Sequence, residues 1–500
     1  MDVLLVMRHP GVASLVPTLR LLSERGHRVR IAYAKVRGEG STHPLSAVLA
    51  ECPGVTAIEL PHVDESSGWP ELARRVRLAG NYLRYLEPPY RNAPKLRSRA
   101  AKDAPPLARR IGKVASRLGP RGVAVARRGA ESVERCVEPP GEIVEFLREQ
   151  SPDVLLVAHV LILNGGEADY LRAAARLGVR TAFPVRGWDN LTNKGLIRDA
   201  PDRLLVWNDP QAREAEQLHG IPRERIRITG SPKCDPLFAW TPRRSREEFC
   251  GLIGLRSDRP IVLYVGSSPF VAPKEVGFVQ RWIAALRAHG GMLEDVGILV
   301  RPHPLNGAQW EEATLDEPQV TVWPRAGEAP NTDASRDNYF DSIHHAGAVV
   351  GINTTAQIES AILGRPVHTI LAEEFRKTQG GTLHFEHLRD EEYGHVLVAD
   401  TLETHAAQLE ASLRGEIDPE RDQRFLRRFV RPLGLDVVAT GVVVDEIEEL
   451  ARQPAPGPHG GPFLGPVVRR VLAPFAARAA RDRARRKEAR RRKAVAAAKT

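Results

Sequence analysis

Short, nearly continuous apolar runs alternate along this chain with longer stretches whose apolar positions recur at helical spacing. The runs at 2–7, 28–34, 55–60, 153–159, 180–185, 202–207 and 225–229 read as strands, and 12–25, 70–86, 141–150, 168–177 and 210–219 read as amphipathic helices between them. Strands apolar on both faces and separated by helices predict a buried parallel sheet. A second series opens at 260–266 and continues with strands at 297–300, 320–323, 348–352 and 367–370. Its helices fall at 276–289, 336–345, 356–363, 401–413, 421–430 and 437–450. The fold class expected is therefore α/β, with two doubly wound parallel-sheet (Rossmann-like) domains facing a cleft. The boundaries read as 1–240, 241–452, a Pro/Gly linker at 453–466 and a tail at 467–500.

In such sheets the functional groups gather at the carboxyl ends of strands, and several polar turns fall there. His9 follows the first strand. After the strand at 180–185 comes RGWDNLTNKG, in which Trp188, Asp189, Asn190 and Lys194 offer stacking, acid, amide and cation within seven residues. It reads as an active-site loop, with a polar loop tying its own turn as the alternative. In the second series, Ser267 and Ser268 follow the first strand. Arg301-Pro302-His303-Pro304 follows the second, bringing a guanidinium suited to phosphate and an imidazole that can donate to a phosphate oxygen. Asn353, Thr354 and Thr355 form a turn into a helix whose N-terminus favours an anion, and Glu359 stands one turn in, placed to accept from a ribose diol. Thr382 and His384, beside Gly380 and Gly381, make a second loop of the same character.

The hydroxyl turn followed by Glu359, Gly364 five residues on and Pro366 seven on resembles the donor-nucleotide motif of GT-B glycosyltransferases. It is similar to the motif of the peptidoglycan lipid II GlcNAc transferase and of UDP-GlcNAc 2-epimerase. The RPHP element resembles one in CDP-glycerol glycerophosphotransferases. The resemblance implies a transferase with a nucleotide-activated sugar or glycerol donor, held by Arg301, His303, Ser267, Ser268, Asn353, Thr354, Thr355, Glu359, Thr382 and His384. It also implies a glycan or lipid-linked acceptor, as in cell-envelope polysaccharide synthesis. Its catalytic base often follows the first strand, which nominates His9, with Asp189 as the other candidate. No DxD pair stands at a strand end near these motifs, so a metal-independent reaction without a cofactor is expected. An epimerase or hydrolase acting on a sugar nucleotide with the same fold stays open.

Charge changes the picture in one respect. The net charge is +10, yet 91–128 and 467–500 each carry +11, which leaves the rest of the chain at −12. Both segments interleave basic with apolar residues and read as surfaces for an anionic membrane. In the tail, Val467, Val471 and Phe475 beside Val468, Leu472 and Ala476 form the expected apolar face, and removing the tail is expected to leave the fold intact. Nucleic acid is a weaker reading, because no zinc-finger, RNP or helix-turn-helix signature accompanies the charge. Four scattered cysteines without CxxC spacing argue against a zinc site and for a reducing, cytoplasmic setting.

Overall fold

The computed structural model describes residues 1–7, 12–34, 49–50, 52–158, 161, 166–418 and 420–497. The chain divides into two compact units, one of residues 1–232 with 439–500 and one of residues 233–438. Each is built on an all-parallel sheet.

The first unit holds β1 (Asp2–Met7), β2 (Arg28–Tyr33), β3 (Val55–Glu59), β4 (Val154–Val157), β5 (Arg180–Pro184), β6 (Arg203–Val206) and β7 (Ile226–Ile228), in the spatial order β3-β2-β1-β4-β5-β6-β7. The second holds β8 (Ile261–Val265), β9 (Gly297–Arg301), β10 (Val320–Val322), β11 (Ala348–Gly351), β12 (Val367–Ile370) and β13 (Val396–Ala399), ordered β10-β9-β8-β11-β12-β13. The strand order reverses between β1 and β4 and again between β8 and β11. At such a reversal the two flanking connections leave in opposite directions and open a crevice at the carboxyl edge. Central strands such as β1, β4, β8 and β11 are buried on both faces, which is why they read as unbroken apolar runs. The strand β13 has no counterpart in the sequence reading. It is a four-residue edge strand whose sequence, Val396-Leu397-Val398-Ala399, is an apolar run like the others, although Leu397 and Val398 are only half-buried.

Three features differ from the expected organisation. Helix Ala439–Arg452, expected in the second domain, belongs to the first unit. Its Val443, Val444, Ile447 and Leu450 are buried with Val3, Leu5, Leu19 and Leu22, and Glu448 accepts from His27 Nε2 at 2.7 Å. The apolar face of the helix is thus completed by the first sheet, and sequence adjacency does not reveal that. The division falls at 232/233 rather than near 240.

The 453–466 segment does not hold the tail away from the sheets. Arg180 Nε donates to the Gln453 carbonyl at 2.9 Å, and the His459 N–H donates to the Ala175 carbonyl at 2.8 Å. The tail itself is a helix, Gly465–Ala497, docked on helix Trp69–Arg84: Ala476 and Ala479 are buried with Leu72, and Arg486 reaches the buried Glu71 at 2.6 Å. The expected single apolar face is therefore split, with Leu472 and Ala476 turned into the contact while Val467, Val471 and Phe475 remain exposed.

Within 91–128 the prolines break the chain into helices as the sequence suggests. The helices are Pro94–Asp103, Pro106–Arg117 and Gly119–Cys136, the first two opening on the residue best tolerated at a helix start.

Candidate functional site

The carboxyl edge of the second sheet is assembled from four connections that side chains tie to one another. Gly266 follows β8 where the backbone of Arg301 to His303 passes so close that a Cβ would lie 2.9 Å from the His303 nitrogen; only glycine leaves that space. Asn306 Nδ2 donates to the carbonyls of Ser267 at 3.0 Å and Ala272 at 2.9 Å, joining the connections after β8 and β9. Thr378 Oγ1 donates to the Val271 carbonyl at 2.7 Å. Gln379, fully buried, places its amide nitrogen 2.9 Å from the Ile352 carbonyl and 3.0 Å from that of Ile370, so the loop after β12 is pinned across the ends of β11 and β12.

Three of the sequence candidates meet here. Asn353 Nδ2 lies 3.2 Å from Thr382 Oγ1 and 3.4 Å from His384 Nε2, and all three residues are buried. The two loops singled out separately along the chain are thus one structure. His303 stands at the end of the adjacent connection. Its Nδ1 accepts from the Leu305 N–H at 3.0 Å, which leaves the ring proton on Nε2. Burial holds its pKa below the ordinary histidine value, so at neutral pH it is an uncharged donor.

Glu359 joins a second group. Its Oε2 accepts from the Tyr339 hydroxyl at 2.6 Å and its Oε1 from Lys233 Nζ at 3.2 Å. The Arg301 guanidinium lies 5.3 Å from the ring centres of both Tyr339 and Trp323. Arg301 and Glu359, 58 positions apart, are therefore linked through one tyrosine on helix Asp333–His344.

Other candidates are placed differently from expectation. Arg301 is 4% exposed and donates to Ser342 Oγ at 3.2 Å and Glu328 Oε2 at 3.4 Å. The two-residue period of a strand puts it on the face of Leu299, which packs with Ile343, so it is enclosed and not presented to a phosphate. Ser267 is fully buried and its N–H is given to the Glu275 carboxyl at 3.0 Å. The Thr354 N–H donates to Gln357 Oε1 at 3.1 Å, and Thr355 is half-buried at the start of the short helix Ala356–Ile362. Ser268 is half-buried, its carbonyl accepting from the N–H groups of Val271 and Ala272.

Glu275, Tyr339, Lys233, Asn306 and Gln379 are absent from the sequence reading. Only Lys233 carried a signal, as the cation directly after Gly230, Ser231 and Pro232, a turn-forming triplet that follows the strand at 225–229. Glu275 is fully buried and also accepts from the Tyr264 hydroxyl at 2.9 Å. Burial pushes its carboxyl up to about 8, so it is mostly protonated at neutral pH.

In the first unit the side chains of the loop after β5 bond within the loop, while its backbone is held from other elements. The Asp189 carboxylate accepts from Asn190 Nδ2 at 2.9 Å and Asn193 Nδ2 at 2.6 Å, and its carbonyl accepts from the Thr192 hydroxyl. Trp188 is buried, Asn190 opens the short helix Asn190–Asn193, and the Lys194 carbonyl accepts from Tyr85 at 2.6 Å and Arg84 at 3.1 Å. His9 lies outside the described residues. A cavity of about 970 Å³ elsewhere in this unit is lined by Arg172 and Arg198, but both guanidinium groups are paired with buried carboxylates, Arg172 with Asp169 and Arg198 with Glu134.

No family model matches the chain, and no curated protein does. Solved structures do match in fold. UDP-GlcNAc 2-epimerase from Neisseria meningitidis, bound to UDP-GlcNAc, is 11% identical with a TM-score of 0.51, covering 90% of this chain and 100% of its own. The Methanocaldococcus jannaschii UDP-GlcNAc 2-epimerase is 12% identical with a TM-score of 0.50, covering 90% of this chain and 99% of its own. A glycosyltransferase from Rickettsia africae is 10% identical with a TM-score of 0.50, covering 91% and 99%. The two doubly wound parallel sheets of this chain are those of the GT-B fold that these proteins share.

Proposed function

We propose that this protein is a GT-B-type transferase that takes a nucleotide-activated sugar or glycerol donor at the carboxyl edge of its second sheet and passes the activated group to a glycan or lipid-linked hydroxyl. The observations that carry the reading are two side-chain groups on the connection that leaves β11, beside the β8/β11 reversal: Asn353 meets Thr382 and His384, and Glu359 is held by Tyr339, against which Arg301 packs. A buried, mutually tied set of loops is preorganised, so little ordering entropy remains to oppose binding.

Glu359 is assigned to the ribose hydroxyls, since a carboxylate is an acceptor for both. Tyr339 and Lys233 hold it in place. His303 offers Nε2–H to a diphosphate oxygen. Being neutral, it stabilises developing negative charge on the leaving nucleotide as a hydrogen-bond donor. Asn353 and His384 line the same edge. The acceptor is assigned to the first unit, with His9 as the general base that removes the hydroxyl proton. Asp189 is assigned a supporting part, as the residue that shapes its loop.

The test is a screen of UDP-, GDP-, TDP- and CMP-sugars and CDP-glycerol for slow hydrolysis, with calorimetry on the nucleotides of the donors that react. Release of nucleotide from one donor, with binding weakened by Glu359→Ala, supports the reading. Conversion of a sugar nucleotide into its epimer, with the nucleotide still attached, would replace it with the epimerase reading. No binding to any of them would remove both.

A further inference from the structure

Helix Pro106–Arg117 is amphipathic the wrong way round for a helix on a water-soluble surface. Such a helix turns its large apolar residues to the core and its small or polar ones outward. Here the buried positions are Ala108, Gly112 and Ala115. A Cβ on Gly112 would lie 2.6 Å from the Tyr82 ring and 2.8 Å from a Leu86 methyl, so the small face is what allows close packing on the 69–86 region. The large residues point out: Leu107 is 63% exposed, Ile111 43%, Val114 55% and Leu118 72%. Their spacing of four, three and four makes one continuous stripe. Val125, from helix Gly119–Cys136, is 68% exposed, and with Ile111, Val114 and Leu118 it lines an open groove of about 610 Å³ that Arg110 and Arg121 also line.

The surround is basic. From 104 to 130 the chain has seven Arg and Lys and no Asp or Glu. Arg109, Arg110, Lys113, Arg117 and Arg121 are all exposed. The hairpin is also firmly mounted. Arg77 Nε donates to Glu134 at 2.7 Å, Arg198 Nε lies 2.7 Å from the other Glu134 oxygen, and Arg127 Nε donates to Glu87 at 2.7 Å. The ridge therefore keeps a fixed outward face.

We propose that this helix pair, and not the tail, is the docking edge of the protein for an anionic bilayer, with the aliphatic ridge entering the interfacial region and the basic rim meeting lipid phosphates. Charge complementarity selects the anionic surface, and the four aliphatic side chains select a bilayer over a nucleic acid, which offers them no apolar phase. The tail has its Ala476 and Ala479 face already engaged, and part of its charge is engaged too: Arg486 pairs with Glu71, and Asp482 faces Arg75 at 3.1 Å. The inference is independent of the donor reading, and its assay involves no nucleotide.

The experiment is co-flotation of the full chain with vesicles of phosphatidylcholine alone and of phosphatidylcholine mixed with phosphatidylglycerol. Binding is expected only to the mixed vesicles and to fall with added salt. The variant Leu107→Gln/Ile111→Gln/Val114→Gln keeps good helix formers on an exposed face and is expected to lose at least about tenfold in vesicle affinity. Arg109→Gln/Arg110→Gln/Lys113→Gln is expected to lose about as much at low salt. Val467→Gln/Val471→Gln/Phe475→Gln is expected to stay within about twofold of the parent chain, its stripe lying outside the docking face.

The proposal is overturned if the parent chain floats with neither vesicle. It is also overturned if the ridge variant floats as well as the parent, or if the tail variant is the one that fails. A parent chain that is an oligomer and becomes monomeric in the ridge variant, without vesicle binding, would make the ridge a self-association face and overturn it equally. Circular dichroism and thermal unfolding of the ridge variant should match the parent, which separates a lost docking edge from a lost fold.

Discussion

The carboxyl edges of the two sheets are built on opposite plans. In the second unit, polar side chains reach from one connection to another: Asn306 to the β8 connection, Thr378 to Val271, Gln379 to the ends of β11 and β12, Asn353 to Thr382 and His384. In the first unit, the loop after β5 keeps its own side-chain bonds local, with Asp189 holding Asn190 and Asn193, while other elements grip its backbone: Arg84 donates to the carbonyls of Lys194 and Gly195, Tyr85 to that of Lys194 and Gln211 to that of Gly187. Cross-linked connections make an edge that is rigid before a ligand arrives. In the loop after β5 the side-chain bonds shape only their own turn, and its place is set by donors to its backbone carbonyls. The physical difference is whether the polar side chains of the connections themselves find partners near or far in sequence, and a side chain with a far partner ties two connections directly to each other.

The sharpest contrast rests on Glu275, the buried carboxyl beneath the β8 connection. Its pKa is raised in the folded state to about 8 against 4.5. The folded form therefore holds a proton that the unfolded form has lost. The stability associated with that proton is complete below the unfolded value and disappears as pH rises through the folded one. The free energy of unfolding, read from denaturant titrations, should fall between about pH 5 and pH 8 by a few kcal/mol, at roughly 1.4 kcal/mol per pKa unit. Glu275→Gln should flatten that part of the profile, while Asp189→Asn should leave it in place. A Glu275→Gln profile that parallels the parent would show that the edge does not rest on a protonated carboxyl.

Glu359→Ala comes next. Losing a charged acceptor should weaken nucleotide diphosphate binding by about 1–3 kcal/mol in calorimetry, with thermal stability close to the parent because Glu359 is only half-buried. Asp189→Ala should do the reverse. It costs about 1–2 kcal/mol of stability by taking the acceptor from the Asn190 and Asn193 side-chain amides, with nucleotide affinity unchanged. If both substitutions moved both quantities, the two edges would not be separate devices. The smallest effect is expected for Tyr339→Phe, which deletes only the hydroxyl held by Glu359. Affinity should fall by about 0.5–1.5 kcal/mol, and the loss should disappear when Glu359 is already Ala.

Much of this organisation was legible in the sequence because both sheets are buried on two faces, and such strands show as plain apolar runs. The turn and helix around Glu359 were legible for the same reason, being bracketed by β11 and β12. Partners that arrive from elsewhere in the chain left no local trace. Tyr339 lies on a helix twenty residues before Glu359, and nothing in its own neighbourhood marks it. Arg301 looked like a phosphate ligand from its residue type, yet the alternation of β9 turns it under Trp323 and Tyr339.

The two basic segments looked equivalent by charge. The tail contact is made by Ala476, Ala479 and Leu472 and leaves out Val467, Val471 and Phe475 of the expected face, whereas the 106–118 stripe is made of the large residues a periodicity reading assigns to a core. Composition does not distinguish a face that packs from a face left outside.

The most direct test of the account is hydrogen–deuterium exchange of the full chain with and without the diphosphate of the reacting donor's nucleoside. Binding at the second sheet predicts slowed exchange in 266–272, 303–306, 353–359 and 378–384, with 186–195 unchanged. Protection confined to 186–195, or none in the second unit under conditions where calorimetry shows the nucleotide bound, would contradict it.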